Sequence, residues 1–233
     1  NLGIGVASLG GSIAGGEYNV AIGNYTLDAL TSADYNTAVG YESSSAITTG
    51  GQNTAVGWRS LKGNTTGTNN IAIGSQALIN PDTEGNNLAL GVGALGGAIA
   101  GGEKNVAVGN FALDALTSAD GTTAIGYNAG TALTSGSVCT IVGYLAGDSI
   151  TTGTKNSVFG AETGGAITTG YNNTIIGAEN AGTLTTGNGN IVLGKGANVS
   201  VAAATFQFVI GDGVTGNGNS TTTIGYDTTE IAT

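Results

Sequence analysis

The sequence predicts an all-β chain: a parallel β-roll or β-solenoid of about fourteen 17-residue coils. Three observations predict it. A motif, N-x-A-[I/V]-G, recurs along the chain. Its closing glycines are evenly spaced. The residues around them fall into fixed columns. The motif stands as Asn19-Val20-Ala21-Ile22-Gly23, Asn36-Thr37-Ala38-Val39-Gly40, Asn53-Thr54-Ala55-Val56-Gly57 and Asn70-Ile71-Ala72-Ile73-Gly74. The closing glycines lie at 5, 23, 40, 57, 74, 91, 109, 126, 143, 160, 177, 194, 211 and 225, so the steps are 17 residues with two of 18 and a last one of 14. A short fixed period marks a solenoid, in which each repeat buries its face against its neighbours. Seventeen residues are too few for the common helical repeats, which need ~33 or more. They suffice for short strands joined by turns.

Taken in order along one coil, the motif itself is the first strand. The residue before each closing glycine is always apolar, from Ile4 to Ile224, and is mostly β-branched. The residue one earlier is Ala from Ala21 to Ala124, then Ile141, Val158, Ile175, Val192 and Val209. Adjacent strand residues point to opposite faces, so both faces of this strand are apolar. A weaker second strand is expected around Leu30, Ile47, Leu116, Leu133, Ile150, Ile167 and Leu184, each followed by Thr-Thr or Thr-Ser. Pro81, the sole proline, falls in that strand and interrupts its pairing. The motif asparagines form a column of their own, suited to a hydrogen-bonded amide ladder.

The unbroken period argues for one solenoid domain over residues 1–233, with atypical last coils over 195–233. A second level of repetition lies within it. Leu9–Tyr41 (LGGSIAGGEYNVAIGNYTLDALTSADYNTAVGY) recurs as Leu95–Tyr127 (LGGAIAGGEKNVAVGNFALDALTSADGTTAIGY), an offset of 86 residues. That offset equals five coils and points to a duplicated block.

Composition narrows the function. Gly is 44 of 233 residues, near three times the usual ~7%, without a collagen phase. The formal net charge is −10, and the five basic residues (Arg59, Lys62, Lys104, Lys155, Lys195) never cluster, so nucleic-acid binding has no electrostatic support. No apolar run is long enough to span a membrane. The chain has no His, hence no Ser/His or Cys/His pair for nucleophilic catalysis. Asp82 and Glu84 are turn charges with no apolar pocket to shift a pKa. Gly10-Gly11 and Gly101-Gly102 lack the lysine and helix of a phosphate loop, and no calcium-binding nonapeptide array is present. Cys139 occupies a motif-asparagine position and reads as a small buried hydrophobe. The expectation is therefore no enzyme, no cofactor and no metal.

The repeat resembles the head repeat of trimeric autotransporter adhesins, S-V-A-I-G-x-x-S. Asn36-Thr37-Ala38-Val39-Gly40-Tyr41-Glu42-Ser43 and Asn53-Thr54-Ala55-Val56-Gly57-Trp58-Arg59-Ser60 carry the match, and similar repeats run through nearly the whole chain. Comparable arrays occur in bacteriophage tail fibres and related trimeric surface fibres. The 17-residue coil is longer than those of the adhesin heads. The resemblance implies a homotrimer, an extracellular, cell-surface or virion-fibre location, and attachment to a host glycan or surface receptor. The apolar outer strand face independently favours a covering partner chain.

Two columns bear on binding. Tyr41, Trp58, Tyr127, Tyr144 and Tyr226 each follow a closing glycine. Same-column residues lie ~4.8 Å apart in successive coils, so these rings either cover turns or form a strip for a sugar chain or receptor. Trp58 beside Arg59 is the sharpest candidate, since both are common hot-spot residues. The second column, Thr48-Thr49, Thr65-Thr66, Thr151-Thr152, Thr168-Thr169 and Thr185-Thr186, raises ice binding as an alternative. Adjacent Thr residues point opposite ways, leaving one outward per coil. An inert structural filament is the third reading.

Overall fold

The computed structural model describes residues 1–227 and 229–232. It is all-β, a parallel β-solenoid of about 13 turns with no helix among the described residues. The sequence predicts about fourteen coils; fourteen closing glycines bound thirteen intervals, which accounts for the difference. The predicted boundary at 233 lies outside the described residues.

The chain forms two units, Asn1–Asp120 and Gly121–Thr233. The first carries seven three-residue strands: β1 (Leu2–Ile4), β2 (Val20–Ile22), β3 (Thr37–Val39), β4 (Thr54–Val56), β5 (Ile71–Ile73), β6 (Leu88–Leu90) and β7 (Val106–Val108). Each pairs parallel with the next, one motif on another, as in Ala38↔Ala55 and Ala55↔Ala72. The second unit repeats the pattern in β8 (Thr123–Ile125), β9 (Thr140–Val142), β10 (Ser157–Phe159), β11 (Thr174–Ile176), β12 (Ile191–Leu193), β13 (Phe208–Asp212) and β14 (Thr222–Tyr226). There β15 (Thr229–Ala232) turns back antiparallel on β14.

Core and surface divide the strand's two faces. The Ala21, Ala38, Ala55 and Ala72 column points inward and is fully buried, with Leu30, Ile47, Leu61 and Leu78 supplied from the turns. In the second unit Ile141, Val158, Ile175 and Val192 fill the inner column. The residues flanking them face out. Ile22, Val56, Ile73 and Leu90 leave 36–42% of their surface exposed in the first unit, and Ile125, Phe159 and Ile176 behave alike in the second.

The expected second strand does not form. Around Ile47 and Ile167 the chain runs in turns and bends. Its Leu and Ile side chains still enter the core, but the backbone does not alternate as a ladder requires. Thr48 and Thr49 both donate N–H to the one carbonyl of Thr65. A regular strand would send only alternate groups to a given neighbour. The Thr48, Thr65 and Thr151 hydroxyls likewise donate to the carbonyl one coil on, at Thr65, Asp82 and Thr168. Pro81 therefore interrupts a turn, not a strand.

The asparagine ladder forms as expected. Asn36 Nδ2 donates to Asn19 Oδ1 at 3.1 Å and to Gly50 O at 3.0 Å, while the Asn36 N–H also reaches Asn19 Oδ1 at 2.9 Å. The same set recurs at Asn53 and again at Asn173 and Asn190. Buried amides satisfied in this way hold the coils in register without an unpaired polar group. At Cys139 the thiol replaces the amide, lying 3.3 Å from Gly153 O, and burial pushes its pKa up.

Each motif ends where a side chain has no room. A Cβ on Gly57, at φ +138°, would collide with the Gly74 carbonyl of the next coil. The chain then leaves the strand through a corner with two left-handed residues, two and four positions on, such as Glu42 and Ser44 or Arg59 and Leu61.

Candidate functional site

Tyr41 and Trp58 stand at the corners leaving β3 and β4. Two backbone bonds fix those corners one above the other: Gly57 N–H to Val39 O at 2.8 Å and Arg59 N–H to Tyr41 O at 2.9 Å. Glu42 and Arg59 follow in the left-handed region, at φ 52° and 55°. That region is sparsely used by residues other than Gly, Asn and Asp. Here it brings residues 17 positions apart side by side. Arg59 Nε donates to Glu42 Oε2 at 2.9 Å, and Lys62 Nζ reaches the same oxygen. The Arg59 guanidinium lies 4.7 Å from the Trp58 ring centroid, a cation–π distance. Tyr41 meets Tyr25 edge to face, with centroids 5.9 Å apart.

These side chains border an open groove of about 390 Å³ lined by Tyr25, Asp28, Tyr41, Glu42, Ser45 and Lys62. Trp58 and Arg59 flank it through Glu42. Both rings present surface to solvent, Tyr41 and Trp58 each being 43% exposed.

The groove is electrostatically mixed. The hydrogen bond from Lys62 is the main cause that holds the Glu42 carboxyl down, to about 2 against an ordinary 4.5, with Tyr41 and Arg59 adding to it. The same carboxylate pushes the Tyr41 phenol up. Burial raises the Asp28 pKa, the nearby Glu42 charge adds to the rise, and Asp28 Oδ1 is enclosed without a hydrogen-bond partner. Two cations and two carboxylates thus sit between tyrosines. The arrangement offers ring faces and edges together with donors and acceptors, the equipment of a polar ligand site and not of a nucleophile.

Of the sequence-predicted residues, the structure brings Tyr41, Trp58 and Arg59 together. Tyr127 and Tyr144 belong to the second unit, where their rings stack at 5.7 Å and 16°. Leu145, not an arginine, follows Tyr144. Tyr226 is exposed and is the last residue of β14 itself, not a corner residue after it. Sequence reasoning missed Tyr25, Asp28, Ser45 and Lys62. The signal was present: Asp28, Ser45 and Lys62 share one column at steps of 17, and so do Glu42 and Arg59. Charges at that separation are neighbours in a solenoid, as they are at i and i+4 on a helix.

Among the described residues no group of three or more His, Cys, Asp or Glu is placed to hold a metal ion. No protein-family model, no curated protein and no solved structure matches the chain.

Proposed function

We propose that this chain is a homotrimeric segment of an extracellular fibre, on a cell surface or a virion, that attaches to a host glycan or surface receptor. The observation that carries it is the outer face of the motif strands. In the first unit Ile22, Val39, Val56, Ile73, Leu90 and Val108 form an in-register aliphatic column, and Val20, Ile71, Leu88 and Val106 add to the column beside it. A soluble chain rarely leaves so regular an apolar stripe in water. A closed ring of identical chains covers such a stripe with no leftover copy, and the adhesin-like repeat favours three. Attachment is assigned to the Tyr41–Trp58 corner, where both rings are exposed.

The Thr column favours attachment over ice binding. The hydroxyls of Thr48 and Thr151 donate to backbone carbonyls, which leaves one outward hydroxyl per coil, at Thr49 and Thr152. The test separates assembly from adhesion. Val56→Asp with Ile73→Asp places charges on the outer column, and sedimentation should then find a folded monomer. Attachment to host cells is measured separately with Trp58→Ala. An assembled wild type that binds no cell and no glycan would leave a passive filament. Inhibition of ice growth would replace the reading altogether.

A further inference from the structure

A second groove lies on a different corner, away from the Trp58 cluster. It measures about 320 Å³ and is lined by Ser32, Ala33, Asp34, Tyr35, Thr49, Gly51, Gln52 and Thr68. Tyr35 is its one aromatic wall. Tyr18, one coil earlier in the same column, stacks on it with centroids 5.1 Å apart and planes 7° apart. The stack holds the Tyr35 ring upright, and its other face turns toward the coil of Gln52 and the groove. Gly51 stands between Asp34 and Thr68 in its column, and the missing side chain there opens the floor.

Other coils carry Gln52, Asn69, Asn86, Lys104 and Val138 in this column, so the fold does not require an aromatic ring at Tyr35. The side chain is 58% exposed, and its backbone sits in the left-handed region at φ 60°. The duplicated block places Gly121 at this position, at φ +62° and with open space around it. Glycine meets the backbone requirement without strain. The first block instead places an exposed aromatic ring there.

The rest of the lining matches the ring. Asp34 Oδ1 accepts the Glu17 N–H at 2.7 Å, which leaves its second oxygen for another donor. Among the described residues, the Gln52 amide and the Ser32 and Thr49 hydroxyls make no side-chain hydrogen bond. A ring face, one carboxylate oxygen, one amide and two hydroxyls are the groups that recognise a sugar ring: its C–H face stacks and its vicinal hydroxyls pair with acceptor and donor. No basic residue lines the groove, and Asp34 makes it anionic.

We propose that this groove binds a neutral oligosaccharide, with Tyr35 as the stacking platform and Asp34 and Gln52 as the hydroxyl-reading groups. The site goes beyond the attachment corner at Trp58 and is independent of it.

The experiment passes the chain over immobilised neutral polysaccharides (an α-glucan, a β-glucan, a mannan and a galactan) and over polygalacturonate. Wild type should be retained on at least one neutral polymer and not on the acidic one. Tyr35→Gly, which installs the duplicate block's own residue, and Gln52→Ala should each weaken retention at least tenfold with unchanged circular dichroism. Tyr171→Ala, which removes an exposed ring that lines neither groove, should leave it unchanged. No retention on any neutral polymer, preference for polygalacturonate, or full retention by a folded Tyr35→Gly would each overturn the proposal. Loss on Trp58→Ala alone would move the sugar site to the other corner.

Discussion

The duplicated block holds two versions of one piece of solenoid. Residues from Leu9 onward and those from Leu95 onward share the coil lengths, the 18-residue coil included, and the same core columns. Leu27 and Leu30 recur as Leu113 and Leu116, and Ala21 and Ala38 as Ala107 and Ala124, all fully buried. The surfaces differ. Tyr18, Tyr35, Glu42, Gln52, Trp58, Arg59 and Lys62 in the first copy become Lys104, Gly121, Asn128, Val138, Tyr144, Leu145 and Asp148 at the offset of 86. Tyr35, Glu42, Gln52, Arg59 and Lys62 are thus missing from the second copy, while Asp28, Asp34 and Tyr41 recur as Asp114, Asp120 and Tyr127. The backbone asks for the same conformation in each: φ is 60° at Tyr35 and 62° at Gly121, 52° at Ser44 and 60° at Gly130. At these two positions the second copy has glycine and the first a side chain, while elsewhere both carry side chains in that region, as at Glu42 and Asn128. The difference teaches that the stacked core fixes the scaffold and leaves the corners free to differ, so the first copy's corners are the place to look for function.

The comparison can be broken at its shared part. Ala55→Asp with Ala72→Asp places unpaired charges in the inner column, and several kcal/mol are lost for each buried unpaired charge. Urea unfolding should show no native baseline. Ile141→Asp, at the position equivalent to Ala55, should do the same. Tolerance of either would contradict a common core.

The next effect falls on one copy alone. Trp58→Ala should weaken attachment by roughly 2 kcal/mol, the scale of a hot-spot residue, or ~30-fold. Tyr144→Ala, its counterpart, should change attachment little. Binding to sparse receptor surfaces checks both, since a dense surface lets avidity mask the loss. Equal losses would mean that the aromatic column acts throughout its length.

Gly121→Tyr writes the first copy's residue into the second. It should destabilise by roughly 1 kcal/mol, since a side chain there has open space but an unfavourable φ. Tyr35→Gly should be near neutral, the relieved strain offsetting a stacking contact of similar size, ~1 kcal/mol. Thermal melting of the two variants sharpens the claim that the first copy tolerates strain to present a ring.

The smallest effects are protonic. Glu42 has its pKa depressed in the fold, so its ion cluster contributes stability above the unfolded value near 4.5 and loses it as pH falls toward about 2. A carboxyl-carbon NMR titration should place its midpoint near 2; a midpoint near 4.5 would mean that Lys62 and Arg59 do not hold it in solution. Asp28 and Asp114 are equivalent positions, and burial raises both above the ordinary aspartate value. Their contribution is greatest below the unfolded pKa and is lost as pH rises through the raised one. Asp28→Asn and Asp114→Asn should therefore melt slightly higher than wild type at pH 7, within the ~0.5 kcal/mol of surface changes, and alike at pH 3.

Much of this architecture was legible in the sequence because a solenoid writes its contacts at one separation. The period gave the strands, their parallel register and the asparagine ladder. Three things were not legible. The inner and outer strand columns are both small and apolar, so only the structure assigns Ala55 to the core and Val56 to the surface. Leu and Ile every coil suggested a second strand, but an apolar side chain enters a core equally well from a turn. Left-handed corners at Glu42, Arg59 and Tyr35 carry no glycine signal, so neither groove was foreseen as a groove, although Tyr41, Trp58 and Arg59 marked one edge.

On the proposed function, identical chains cover the outer aliphatic column, and sedimentation equilibrium reads this out. Three copies of the 22.5 kDa chain give about 67 kDa, and that mass should hold across a hundredfold dilution, while Val56→Asp with Ile73→Asp should sediment as a folded monomer. A wild-type mass of 22.5 kDa at all concentrations, with the outer column left in water, would contradict it.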